Sequence, residues 1–176
     1  AGRRAAQVEQ LQLLTVLDRR PVRDAALALA QARAGQPDLA ILSLTGQLQG
    51  SADRPLLSAT IGRIWLMLAE TSRERTDALP NALEALARAA SAPSATSEVK
   101  ALYGRALTLA GQFEAAEEVF QQAIERYPVD SSALQQYAAV AERLGHAGAA
   151  RSALIDYAAL EPAEAERAGF AARVGS

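Results

Sequence analysis

The residues able to do chemistry are few, and their types exclude more reactions than they permit. The chain has no cysteine and a single histidine, His146, so thiol nucleophiles, disulfides and multi-histidine metal sites are ruled out. His146 follows Leu144-Gly145, a turn signal. A general base there needs an orienting partner and a nucleophile, which the neighbouring sequence does not supply, so the expectation is a solvated turn residue. Glu117-Glu118 and Glu161, Glu164 and Glu166 gather carboxylates at helical spacing. They read as solvated helix faces, since calcium takes alternating oxygen ligands in a turn. Phosphate loop, dinucleotide glycine fingerprint, zinc-protease helix and serine nucleophile elbow are all missing. The reading is therefore not an enzyme: no catalytic residue, no cofactor and no metal.

The elements behind these residues are helices. Half of the 176 residues are apolar but only 5% are aromatic, so alanine and leucine supply the hydrophobic content, as in a chain that packs helices closely. A formal charge of -2 gives no electrostatic ground for binding phosphate backbones or anionic surfaces, and no nucleic acid is expected. No run approaches the roughly 18–20 apolar residues that cross a bilayer, so membrane insertion of this segment is not expected either. Of the 18 basic residues only Lys100 is lysine, a bias that points to a GC-rich bacterial source. The start at Ala1 without methionine suggests a processed or excised piece of a longer protein, which leaves cytoplasm and periplasm equally open.

Fixed-period self-similarity organises the chain. Adding 34 to positions in the segment from Ser97 carries Tyr103 to Tyr137, Gly104 to Ala138, Gly111 to Gly145, Ala116 to Ala150, Phe120 to Leu154 and Pro128 to Pro162. Small falls on small and breaker on breaker. Subtracting 76 reaches Leu27, Ala28, Gly35, Ala40 and Leu44. Between them, a first helix aligns at an offset of 42 (Ile61, Gly62, Trp65) and a second at 34 (Ala82, Leu86, Ala89), which places an insertion near 71–79. The predicted division is an N-terminal helix over 3–18, repeats at 21–54, 55–96, 97–130 and 131–164, and a C-terminal cap over 165–176, all in one repeat domain.

Each unit is an apolar-periodic segment, a Gly or polar turn, and a second such segment, the pattern of an antiparallel helix pair. Gly111 and Gly145 are expected to end first helices in a left-handed conformation. Gly104 and Ala116 are expected to let two facing helices approach closely. One pair alone cannot bury its apolar face, so the units must stack. The insertion reads either as a turn added to each helix, with Pro80 in the first turn of the second, or as a projecting recognition loop.

The segment 97–130 resembles the tetratricopeptide repeat family through Gly104, Leu107, Gly111, Phe113, Ala116, Phe120, Ala123 and Pro128. The resemblance is clearest over 97–164 and weaker over 21–96. The bulky aromatic usual near the start of the first helix is replaced by Asp24, Ser58 and Lys100. It implies an all-α fold, a right-handed superhelix of stacked antiparallel helix pairs in about four repeats with flanking helices. It also implies a protein-protein interaction scaffold that takes a peptide or protein segment in a concave groove lined by first helices.

By register that groove reads Ala25, Ala59, Ala101 and Gln135; then Leu29, Arg63, Arg105 and Ala139; then Ala32, Leu66, Thr108 and Glu142; then Arg33, Met67, Leu109 and Arg143. Arg63 and Arg105 share a register, and neither has an acidic residue three or four places away along its own helix. The expectation is an apolar trough with two cationic posts suited to acidic or carboxylate groups on the partner. Two alternatives stand beside it. One is a structural spacer or self-assembly module, a homo-oligomer. The other is the regulatory part of an envelope secretion or assembly machine.

Overall fold

The computed structural model describes residues 2–17, 20–48 and 54–167, and among these every regular element is helical. They form two compact units, Ala1–Ser94 and Ala95–Ser176. The first holds α1 (Gly2–Leu17), α2 (Pro21–Arg33), α3 (Pro37–Leu48), α4 (Arg54–Thr71) and α5 (Ala78–Ala90). The second holds α6 (Ser97–Leu109), α7 (Phe113–Ile124), α8 (Ser131–Leu144), α9 (Ala147–Leu160) and α10 (Pro162–Arg167). The all-α class is as the periodicity implies, and the C-terminal cap is described only as far as α10. Residues 168–176 of the expected cap, Phe170 and Val174 among them, lie outside the described residues.

Helix pairing follows from one recurring turn. After α2, α6 and α8 the chain makes the same two backbone bonds: Gln36, Gln112 and His146 N–H donate to Gln31, Leu107 and Ala141 carbonyls, and Gly35, Gly111 and Gly145 N–H donate to Ala32, Thr108 and Glu142. Both Gly111 (φ 76°) and Gly145 (φ 83°) are left-handed, a conformation that costs a side-chain-bearing residue sterically and glycine nothing. The six-residue return leaves α7 antiparallel to α6 and α9 antiparallel to α8.

The core of each pair rests on a small residue facing a large one. In sequence order the facing positions are Ala28 and Leu44, Gly62 and Leu86, Gly104 and Phe120, and Ala138 and Leu154, all eight buried. The small member lets helix axes approach, and the large member fills the space so made. Pairs then stack within their units, α2/α3 on α4/α5 and α6/α7 on α8/α9. In the second unit the start of α6 is tied to the next pair by the Asp130 N–H, which donates to Ser97 Oγ at 2.9 Å. Asp130 in turn caps α8, accepting from Ser132 N–H at 3.0 Å.

The insertion resolves into two parts. α4 runs to 18 residues where α6 has 13, so one added turn is helix. Residues 72–77 then cross to α5, in which Pro80 sits in the first turn, where its missing donor costs nothing.

Candidate functional site

In each unit the first helices lie side by side, α2 beside α4 and α6 beside α8, and the sequence-assigned groove residues fall on these pairs. Their burial separates them. Ala59 (8% exposed) on the first unit and Ala101 (2%) on the second are each buried. Leu66 is 2% exposed and belongs to the core, so it is not a ligand-contacting residue. Its helix is apolar on more than one side, and sequence register alone does not separate the faces. Leu29 and Met67 are half-buried against the core cluster of Ala28, Leu44, Leu57 and Ile64. Arg33 is exposed, and its carbonyl accepts from the Arg4 guanidinium at 3.1 Å.

On the second unit Leu109 is 46% exposed and Gln135 is half-buried. Thr108 turns its hydroxyl inward, donating to the Gly104 carbonyl at 2.9 Å, so less of its donor capacity is available outward. Arg143 stacks its guanidinium 4.1 Å above the centre of the Phe113 ring, a cation–π contact that draws it towards α7. Arg63 lies on α4 of the first unit and Arg105 on α6 of the second, and both interact with other groups of the chain. Neither has an acidic residue three or four places away along its own helix, and each nevertheless takes part in an interaction within the chain.

Three polar arrangements were not visible in the sequence. Arg75, inside the insertion, donates to Asp38 Oδ1 at 3.0 Å and to Asp77 Oδ1 at 3.1 Å, and lies 5.2 Å from the Trp65 ring centre. Its hydrogen bonds to Asp77 and then Asp38 raise its pKa, while the same bond holds the Asp77 carboxyl below its ordinary range. The insertion is thus pinned to the α2–α3 pair and to α4, which argues against a freely projecting recognition loop.

His146 Nδ1 lies 2.7 Å from Glu117 Oε1, whose side chain is 18% exposed. The histidine is a turn residue as expected, but it is held by a carboxylate from α7 instead of by solvent alone, and Glu117 is correspondingly not a fully solvated acid. Burial, and then the Glu117 charge, push the nearby Tyr137 phenol up.

Lys100, 8% exposed, donates from Nζ to Gln122 Oε1 at 2.8 Å. Burial and the Arg126 charge lower its pKa. Its cation sits at the last turn of α7, where the helix dipole favours positive charge. Among the described residues no group of three or more His, Asp or Glu side chains could hold a metal ion, and no helix is long and apolar enough to cross a membrane.

The sequence profile of the tetratricopeptide repeat matches residues 97–140, the span that contains Gly104, Phe120 and the Gly111 turn. The repeat is a tetratricopeptide repeat. Solved structures share the fold well beyond that span. A thermophilic TPR protein from Thermus thermophilus superposes with a TM-score of 0.77 at 18% identity, covering 97% of this chain and 90% of that one. MamA from Desulfovibrio magneticus superposes at 0.66 and 18% identity, covering 89% and 84%. MamA AMB-1 gives 0.64 and 20%, covering 92% and 84%. At these identities the likeness is one of fold. No curated protein sequence matches the chain.

Proposed function

We propose that the chain is a protein-interaction scaffold that holds a peptide or protein segment against the first-helix face of its repeats. The observation that carries this reading is on the second unit. There Leu109 leaves nearly half its surface in solvent beside the register positions Arg105, Gln135 and Arg143, on two helices whose packing duties are met by Ala101, Gly104, Ala138 and Ala141. A partly exposed leucine on a helix that also carries Arg105, beside a helix that carries Gln135, suits an aliphatic side chain flanked by acidic or carboxylate groups. Leu29, Arg33, Arg63 and Met67 offer the same combination on the first unit.

Panning a random peptide library on the intact chain tests the reading. Selected peptides are expected to bear acidic and aliphatic residues and to lose at least about tenfold in affinity to Arg105→Glu combined with Leu109→Asp, by charge repulsion and lost contact. They should keep full affinity for Glu118→Arg on α7. Equal affinity for both variants, each folded by circular dichroism, rejects the first-helix face.

A further inference from the structure

A cleft of about 460 Å³ opens in the first unit, lined by Leu48, Arg54, Pro55, Ser58 and Arg88. It lies off the first-helix face, between the end of α3, the N-terminal turn of α4 and α5. The repeat explains why it exists. Ser58 aligns with Lys100 at the offset of 42, and Arg88 aligns with Gln122 at the offset of 34. In the next repeat the long Lys100 side chain reaches across this space and bonds Gln122 at 2.8 Å. One repeat further on, Leu134 stands at the position of Lys100 and is buried. Only a short serine occupies the position in the second repeat, so the volume filled by lysine or leucine elsewhere is open here.

We propose that this cleft is a binding site for a carboxylate carried on an aliphatic body. Ser58 is 7% exposed and lines the cleft. No buried side-chain nitrogen or oxygen among the described residues lacks a hydrogen-bond partner, so the serine is a hydroxyl at the cleft wall that can donate to a ligand oxyanion. Two guanidinium groups share the lining. Arg54 also interacts within the chain, and Arg88 makes a long 3.5 Å contact with the exposed Glu84, so a carboxylate aimed between them would meet two forks. The N-terminal turn of the 18-residue α4 adds the positive end of a helix dipole. Leu48 and Pro55 supply the apolar wall, and the volume falls in the range of about 300–1,000 Å³ usual for small-ligand clefts.

The test follows the Nε–Hε resonances of Arg54 and Arg88 by NMR while the intact chain is titrated with hexanoate, with acetyl-alanyl-leucine bearing a free carboxylate, and with the carboxamide of that dipeptide. Saturable shifts with a Kd below about 1 mM for either carboxylate, and none for the carboxamide, are expected. Hexanoate alone points to a free acid as ligand, and the dipeptide alone to a peptide terminus. Arg88→Gln and Ser58→Ala should each weaken binding by about three- to tenfold, since each removes a hydrogen bond to a charged group, with the melting temperature unchanged for Ser58→Ala. Ser58→Leu should fill the cleft as Leu134 does and abolish binding in a folded chain. No saturable shift with either carboxylate, or shifts that survive in Ser58→Leu and Arg88→Gln, overturns the proposal.

Discussion

A Cβ placed on Gly104 would lie 2.8 Å from both Cε1 and Cζ of the Phe120 ring, so the bare backbone of one helix and the aromatic of the next are halves of a single contact. The same holds one repeat earlier, where a Cβ on Gly62 would lie 2.5 Å from Leu86 Cγ. Phe120 and Leu86 have no exposed surface and so little room to retreat. Where the large partner is the leucine of the first or fourth repeat, alanine is accepted opposite it, as at Ala28 and Ala138.

Gly104→Ala should therefore destabilise the chain by about 1–3 kcal/mol in urea unfolding, overpacking outweighing alanine's better helix propensity. In a Phe120→Leu background, which recreates the alanine–leucine pairing of the fourth repeat, the same substitution should cost at least about 1 kcal/mol less. Additive effects in the double mutant would show that the two residues do not share a contact.

The sequence made this pairing readable because both members recur at one period, and recurrence reports contacts made inside a repeating unit. The Gly111 and Gly145 turns were readable for the same reason. Contacts made once only were not. Arg75 reaches Asp38 across 37 positions, and His146 reaches Glu117 across 29, and neither pair has a counterpart in another repeat. The groove residues were half legible. Register placed Leu109 and Arg105 on first helices, but it could not distinguish Leu66, which is buried, because a nearly all-apolar α4 offers no polar face to mark the outside.

Arg75→Ala should loosen residues 72–77 and uncover the Trp65 indole, seen as a red shift and easier quenching of its fluorescence, the chain's only tryptophan signal. Acid should do the same in the wild type. The bond to Arg75 lowers the Asp77 pKa from its ordinary 3.8, so the contact contributes fully above that value and is lost as pH falls through the lowered one. Asp77→Asn should weaken this acid transition, and an unchanged fluorescence titration would contradict the assignment.

His146→Ala should cost about 0.5–1.5 kcal/mol, the range for a partly solvated hydrogen bond to a carboxylate. The loss should appear as faster amide exchange in α9, which His146 precedes directly. Exchange in α2 and α3 should be unchanged. Equal acceleration in both units would show that the effect is global.

Lys100→Leu, which copies Leu134 of the following repeat, should be neutral or stabilising within about 1 kcal/mol, because burial disfavours the ammonium and its single acceptor, Gln122, is exposed to water. A thermal melt decides it, and a large loss would mean that Lys100 holds more than the α7 terminus.

The first-helix face as a binding surface is tested most directly by where a bound peptide lies. A photo-crosslinking residue is placed at Leu109 on α6 or at Gln121 on the exposed side of α7, and each chain is irradiated with a peptide selected on the wild type. Covalent attachment from position 109 and none from 121, abolished by excess unlabelled peptide, is the predicted result. Attachment from 121 in preference to 109 would contradict it.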